Sequence, residues 1–265
     1  MTPFLRSTQY GFRCNRSCSQ PIFIIRRLME QAEAVKDPLY LLFLDWEKAF
    51  DKIHPQTVST SLTRFGVQQE FTRIMDHFYA NPQFKVLSTG KPSQVHTAHS
   101  GIKQGCPLSP YLFLVVHSAI MHDVTQLMTE HDTRPLPTLH SQYAPLFDLA
   151  YADDTVLIGK SSDTVQRALH YIQTTAAQHN LKLNLGKCEL VRMNADTDIK
   201  FKDTSPLPPQ STPQQRKQHQ KQLTVKVKTQ VRYLGVFIRQ DCSTHTDIVT
   251  RIGKARAAFN KLHLF

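Results

Sequence analysis

Two adjacent aspartates, Asp153 and Asp154, separate two short apolar segments, residues 147–151 and 155–158. Both segments are typical of strands, so the aspartate pair is predicted to lie at the tip of a tight hairpin. Asp is a common turn residue because its short side chain bonds the nearby backbone. Two neighbouring carboxylates also repel each other unless a cation lies between them, so the pattern equally allows a metal site.

A second acidic position has a similar setting. Residues 39–44 are all apolar, which is typical of a strand buried on both faces, and Asp45 follows directly. A charge there is costly unless it is paired or binds metal, and a turn-capping role is the alternative. If the strands are neighbours, Asp45 converges with Asp153 and Asp154, and three carboxylates suit two Mg²⁺ ions. The backbone carbonyl of Trp46 is a further candidate ligand.

Helical and strand-like segments are mixed along the rest of the chain. Apolar periodicity predicts helices over residues 19–34, 56–65, 69–79, 108–128, 161–180 and 247–264. Alternating patterns predict a hairpin over 84–101 and strands within 181–193 and 224–238. This order favours an α+β fold with a mostly antiparallel sheet.

Two segments show neither the apolar periodicity of a helix nor the alternation of a strand. Residues 132–145 are rich in proline and are predicted to form a loop. Residues 203–222 are rich in Pro, Ser, Thr and then Gln, a composition that buries little apolar surface. A flexible insertion is therefore predicted in this region, over about residues 196–224.

The bulk composition restricts the class of protein. The chain has 265 residues, and Lys and Arg outnumber Asp and Glu by 32 to 21, which gives a net charge of +11. This balance favours a polyanionic partner such as nucleic acid, with an ordinary basic protein as the alternative. No apolar run approaches the roughly 20 residues of a membrane span, and an intracellular location, nucleus or cytoplasm, is expected. Five scattered cysteines without a CxxC pair argue against a zinc site or a disulfide framework.

Six segments, in order, resemble the motifs of reverse transcriptases of the non-LTR (LINE-type) retrotransposon kind. They are YGFRCNRSCSQPIF, LDWEKAFDKI, GIKQGCPLSPYLF, AYADDTVLIG, LKLNLGKCELV and RYLGVFI, and the resemblance extends over residues 9–265. It implies a right-hand polymerase palm, in which an antiparallel sheet packs on helices. It also implies an RNA-directed DNA polymerase that uses two Mg²⁺ ions, or Mn²⁺, with an RNA template, a DNA primer and dNTPs.

The resemblance assigns roles at the acidic sites. It implies that Asp45, Asp153 and Asp154 are the catalytic metal ligands, with Asp45 and Asp153 bridging both ions. Phe50 matches the bulky position that would clash with a ribose 2′-hydroxyl, although it could equally be a core aromatic. Asp51 also matches the pattern, and we interpret it as structural.

Further roles follow from the same resemblance. Gln104 and Gly105 resemble residues near the incoming nucleotide. Lys187 resembles the lysine that protonates the pyrophosphate leaving group, and a solvated surface lysine is the alternative. The primer would be supported by Tyr233, Leu234 and Gly235.

The domain organisation inferred from the resemblance is incomplete. Residues 1–36 are assigned to partial fingers, 37–242 to the palm and 243–265 to the start of a thumb or a C-terminal helix. The basic fingers segment that clamps the triphosphate is not matched, so a truncated, catalytically inactive remnant that binds nucleic acid is the alternative function. An RNA-dependent RNA polymerase would share the palm, but Ala152 and Phe50 disfavour it.

Overall fold

The computed structural model describes residues 5–98, 100–130, 146–204, 208 and 212–262. Helices in these residues are α1 (Ser19–Val35), α2 (Ala49–Lys52), α3 (Pro55–Arg64), α4 (Gln69–Tyr79), α5 (Ser109–Glu130), α6 (Ser162–Gln178), α7 (Pro213–Leu223) and α8 (His245–Leu262). Strands are β1 (Leu39–Leu44), β2 (Gln83–Phe84), β3 (Leu87–Ser88), β4 (Lys91–Pro92), β5 (His96–Thr97), β6 (Asp148–Tyr151), β7 (Asp154–Gly159), β8 (Glu189–Met193), β9 (Lys226–Val227), β10 (Gln230–Tyr233) and β11 (Val236–Arg239). The predicted helices are confirmed to within a few residues at their ends.

A five-stranded sheet in the order β6-β7-β1-β8-β9 forms the centre of the protein. The central strand β1 pairs antiparallel with β7 and with β8, and only the β8–β9 pair is parallel. All six residues of β1 are buried, because both faces of this strand are covered. Each of its leucines is worth about 2 kcal/mol of hydrophobic stabilisation. The predicted α+β class with a mostly antiparallel sheet is confirmed.

Alternate side chains of β1 belong to two different cores. Tyr40, Leu42 and Leu44 pack with the helical layer that contains α3, α5 and α6. Leu39, Leu41 and Phe43 pack with α1 and with the β10–β11 hairpin on the opposite face. Helix α5 is apolar on most sides, as its long buried stretch requires, and it contributes more residues to the first core than any other element.

Two small ladders confirm the hairpin predicted over 84–101. Strands β2 and β5 pair antiparallel, and β3 and β4 pair antiparallel inside them. The loop predicted over 132–145 lies outside the described residues. No helix in the described part of the chain is long and apolar enough to span a membrane.

Part of the segment predicted to be a flexible insertion, over 196–224, is attached to the core, and its residues 205–207 and 209–211 lie outside the described residues. Ile199 and Phe201 are buried in the first core, and the Val225 amide donates to the Ile199 carbonyl over 2.9 Å. Helix α7 then begins with a capping box, in which the Thr212 and Gln215 side chains each accept from the other residue's backbone N–H. Caps and anchored flanks therefore order a helix that has no apolar face of its own.

Candidate active site

Three aspartates lie at one end of the central sheet. Strand β1 ends at Leu44, opposite Thr155 of β7, so Asp45 and Asp154 occupy the next position on the two paired strands. Asp153 lies in the two-residue turn that joins β6 to β7, since Tyr151 pairs with Asp154. The structure therefore brings together the strand end and the hairpin tip that carry the predicted metal ligands.

Negative charge accumulates between these carboxylates. Asp154 keeps an exposed surface, but partial desolvation by the surrounding protein, followed by the charges of Asp153 and Asp45, raises its pKa from 3.8 to about 6. Oδ1 of Asp45 is shielded from solvent and accepts no hydrogen bond from the described residues. A cation would relieve both conditions, and hard carboxylate oxygens are the ligands that Mg²⁺ and Mn²⁺ prefer.

The carboxylates do not form a closed metal cage. Within the part of the chain that the structure describes, no group of three or more His, Cys, Asp or Glu side chains is arranged to hold an ion. Sites for Mg²⁺ commonly keep several waters and complete their coordination with substrate phosphates. The donor set at Asp45, Asp153 and Asp154 fits an open site of that kind.

Half-buried and buried residues around the aspartates hold their backbone in place, and the sequence alone did not single them out. The Asp45 carbonyl accepts from the Asn184 amide over 2.8 Å, and the Asp45 amide donates to Sγ of Cys188 over 3.4 Å. Nε2 of His117 lies 3.0 Å from Oγ1 of Thr155, directly after the aspartate pair. The only sequence signals were a histidine inside an apolar run and a cysteine in an alternating segment, and both are also typical of ordinary core positions.

The residues predicted near the nucleotide flank the same end of the sheet. Phe50 is half-buried and stacks on Phe113, with ring centroids 5.4 Å apart. Nε2 of Gln104 donates to Oδ1 of Asp51 over 2.8 Å, which agrees with a structural role for Asp51. Gly105 has a φ of +84°, a conformation that favours glycine. An open groove of about 830 Å³ lies beside Gln104.

Lys187 and Trp46 lie next to Asp45. Nζ of Lys187 is 3.9 Å from Oδ1 of Asp45, while the lysine side chain remains 68% exposed. This position is compatible with both the catalytic and the solvated interpretation. Trp46 is buried edge-on against His117 and bridges to Leu183 at the end of the sheet.

Of the three residues predicted to support the primer, two form the tip of the β10–β11 hairpin and one is buried beneath it. Leu234 and Gly235 form its tip, with φ values of +47° and +84°, as a type I′ turn requires. The Tyr233 ring is instead buried against Phe43, at a centroid distance of 5.4 Å, and burial raises the pKa of its phenol. The side chain of Tyr233 is therefore a core group, and only the tip is available to a ligand.

Comparison with known proteins identifies the family. A family model described as "Reverse transcriptase (RNA-dependent DNA polymerase)" matches residues 1–238. The chain belongs to the reverse transcriptase family. The match covers every element from α1 to β10 and most of β11, and it includes all three aspartates.

Curated relatives of this reverse transcriptase chain come from mobile elements. The RNA-directed DNA polymerase from mobile element jockey of Drosophila funebris is 25% identical over 183 residues, 68% of this chain and 19% of that protein. The Pol polyprotein from the R2 element of Nasonia vitripennis is 24% identical over 205 residues, 76% of this chain and 19% of that protein. The predicted resemblance to non-LTR retrotransposon reverse transcriptases is confirmed, and the chain spans less than a fifth of either relative.

A solved structure of the same fold extends the comparison. Apo telomerase from Candida Tropicalis superposes with a TM-score of 0.53 at 11% identity, over 88% of this chain and 36% of that one. At that identity the similarity concerns the fold alone. Together with the family match it confirms the predicted polymerase palm.

Proposed function

We propose that this chain is the catalytic domain of an RNA-directed DNA polymerase, which adds dNTPs to the 3′-hydroxyl of a DNA primer on an RNA template. The observation that carries the proposal is the meeting of Asp45 with the aspartate pair at one end of the sheet, where Asp154 holds a raised pKa. The family membership and the net charge of +11 support a nucleic-acid partner.

Asp45, Asp153 and Asp154 would hold two Mg²⁺ ions, or Mn²⁺, with the Trp46 carbonyl as a further ligand. Such ions activate a hydroxyl nucleophile and stabilise a leaving pyrophosphate. The protein contributes a rigid frame for the carboxylates: Asn184 fixes the Asp45 carbonyl, and antiparallel pairing fixes β7 against β1. Rigid elements hold ligands at the separations that phosphoryl transfer needs.

Other residues would bind and orient the nucleotide and the primer. The Phe50 ring, held by Phe113, would close the space beside a ribose C2′, and Gln104 would border the template base pair. Lys187 would deliver a proton to the pyrophosphate from its position beside Asp45. The primer would lie on the tip of the hairpin at Leu234 and Gly235, within a palm of residues 37–242.

A primer-extension assay with matched aspartate variants tests the proposal. Asp153→Asn removes one metal-ligand charge while it keeps the side-chain volume, and extension should fall by at least about 100-fold. Asp76→Asn makes the same change on the exposed face of α4, and it should extend the primer like wild type.

The assay also separates the proposal from a remnant that only binds nucleic acid. Equal extension by Asp153→Asn and wild type would contradict the assigned site. Salt-sensitive binding of an RNA–DNA hybrid by wild type, without incorporation of any dNTP, would contradict the enzymatic function and favour the remnant.

A further inference from the structure

The N-terminal residues 6–11, which we call the N-terminal strap, run along the open edge of the central sheet. Gln9 forms a parallel bridge to Ala150 of the edge strand β6. The Tyr10 amide donates to the Ala150 carbonyl over 2.7 Å, and the Ala150 amide donates to the Thr8 carbonyl over 2.9 Å. The strap thus extends the sheet by one short strand, directly beside the aspartate turn.

A buried ion pair anchors the beginning of the strap. Nη2 of Arg6 lies 2.6 Å from Oδ1 of Asp148, whose side chain is fully buried in β6. Oγ1 of Thr8 donates to the other carboxylate oxygen of Asp148 over 2.9 Å. Both oxygens of this buried carboxylate are therefore satisfied by the strap, as a charge in that position requires.

The strap reaches the aspartate turn through one side chain. Gln9 is only 1% exposed, and its Oε1 accepts from the Ala152 amide over 2.9 Å and from the Gly11 amide over 2.8 Å. Its Nε2 donates to the Ala152 carbonyl over 3.2 Å. A single amide side chain therefore satisfies both polar groups of Ala152, the residue directly before Asp153.

Ala152 needs such support because its φ is +57°. This left-handed conformation brings Cβ close to the following carbonyl, and alanine has no polar side chain to stabilise it. Gly11 packs against the same peptide so closely that a Cβ at that position would lie 2.3 Å from the Ala152 nitrogen. A glycine and a buried glutamine thus enclose a strained residue beside the metal ligands.

We infer that Gln9 is a positioning residue, which holds the Ala152 peptide in its left-handed conformation and thereby directs the Asp153 carboxylate toward Asp45. The inference rests on the proposed function, because it concerns the same aspartates. Some groups hold metal ligands in position without touching the metal. Replacing such a group typically changes metal affinity or activity by 10–100-fold. The isosteric change Gln9→Met keeps the side-chain length and removes all three hydrogen bonds.

Terbium binding measures the position of the carboxylates without the need for catalysis. Tb³⁺ is a hard cation that prefers oxygen ligands, and Trp46, the chain's only tryptophan, follows Asp45 and can sensitise its luminescence. In the full chain, Gln9→Met should weaken Tb³⁺ affinity about tenfold and lower kcat, while the KM for dNTP stays unchanged. Gln173 lies on α6 and accepts a single hydrogen bond from the Lys202 amide, so Gln173→Met should alter none of these values.

A second substitution tests whether Gln9 acts through Ala152. Glycine adopts positive φ without a Cβ penalty, so Gln9→Met/Ala152→Gly should regain part of the lost Tb³⁺ affinity. The inference is overturned if Gln9→Met binds Tb³⁺ like wild type, if Gln173→Met loses as much, or if the double variant is no better than Gln9→Met. Where Gln9→Met alone is too unstable to assay, the double variant is compared with Ala152→Gly, whose glycine no longer needs the support of Gln9, and a Tb³⁺ affinity that is tenfold weaker in the double variant overturns the inference.

The two proposals fail in different ways. A wild-type chain that extends no primer, but whose Tb³⁺ affinity depends on Gln9, contradicts the polymerase function and supports the positioning role. A chain that extends primers and whose Gln9→Met variant matches wild type in affinity and kcat supports the polymerase and overturns the role of Gln9.

Discussion

At the scale of single residues, Phe50 shows how a core aromatic can also form the wall of a binding site. Its ring is half-buried, and the stacking on Phe113 at an interplanar angle of 19° holds it in one orientation. The two interpretations of this residue, packing and sugar selection, are therefore compatible in one side chain. The two interpretations predict different effects of a smaller residue on the discrimination between ribonucleotides and deoxyribonucleotides.

Phe50→Val should admit ribonucleotides. The smaller side chain leaves space for a 2′-hydroxyl, and the ratio of GTP to dGTP incorporation should rise at least about tenfold, since pocket contacts of this size discriminate by 10–200-fold. Phe65→Val, a matched change in the half-buried residue at the end of α3, should lose stability but leave the ratio unchanged. An unchanged ratio in Phe50→Val would show that Phe50 only packs.

His117 links the site to the stability of the fold. Burial, and secondly the charge of Arg6, lower the pKa of its imidazole from 6.5 to about 3. The folded pKa lies below the unfolded value, so the unfolded chain binds the proton first as the pH falls. This group's contribution to stability is complete above about pH 6.5, and it decreases by about 1.4 kcal/mol per pH unit down to about pH 3.

His117→Gln should therefore flatten the pH dependence of unfolding. Glutamine cannot titrate but can still reach Thr155, so the variant should lose about 2 kcal/mol less than wild type between pH 7 and pH 5 in urea unfolding. His122→Gln, an exposed position on the same helix, should follow wild type. Parallel curves for wild type and His117→Gln would mean that folding does not lower the pKa of His117.

At the scale of elements, local patterns predicted the strands and helices wherever burial imposed a period. The apolar run of β1 and the alternation of β10–β11 both led to the correct element. No helix was predicted at α7, because this helix begins with a capping box at Thr212 and has buried flanks but no apolar face of its own. The strap was missed for another reason: it pairs residue 9 with residue 150, and a short contact between segments so far apart in the sequence leaves no periodic signal.

For the molecule as a whole, the sequence indicated the candidate site residues more completely than the strand order that brings them together. The α+β class followed from the order of segments, but the strand order β6-β7-β1-β8-β9 did not, because pairing partners depend on long-range packing. The convergence of Asp45 and Asp153 was conditional on that order. Tyr233 is buried because the β10–β11 hairpin packs on the central sheet, and no local pattern in the sequence predicts that packing.

Removing and restoring the metal ions tests directly whether Asp45, Asp153 and Asp154 form a metal-dependent polymerase site. The full chain is treated with a chelator and then supplied with an RNA template, a labelled DNA primer and dNTPs, with Mg²⁺ added stepwise. We expect no extension before Mg²⁺ is added, template-directed extension after it, and no recovery in Asp45→Asn. Extension that persists in the chelator, or that returns equally in Asp45→Asn, would contradict a metal-dependent polymerase site at these aspartates.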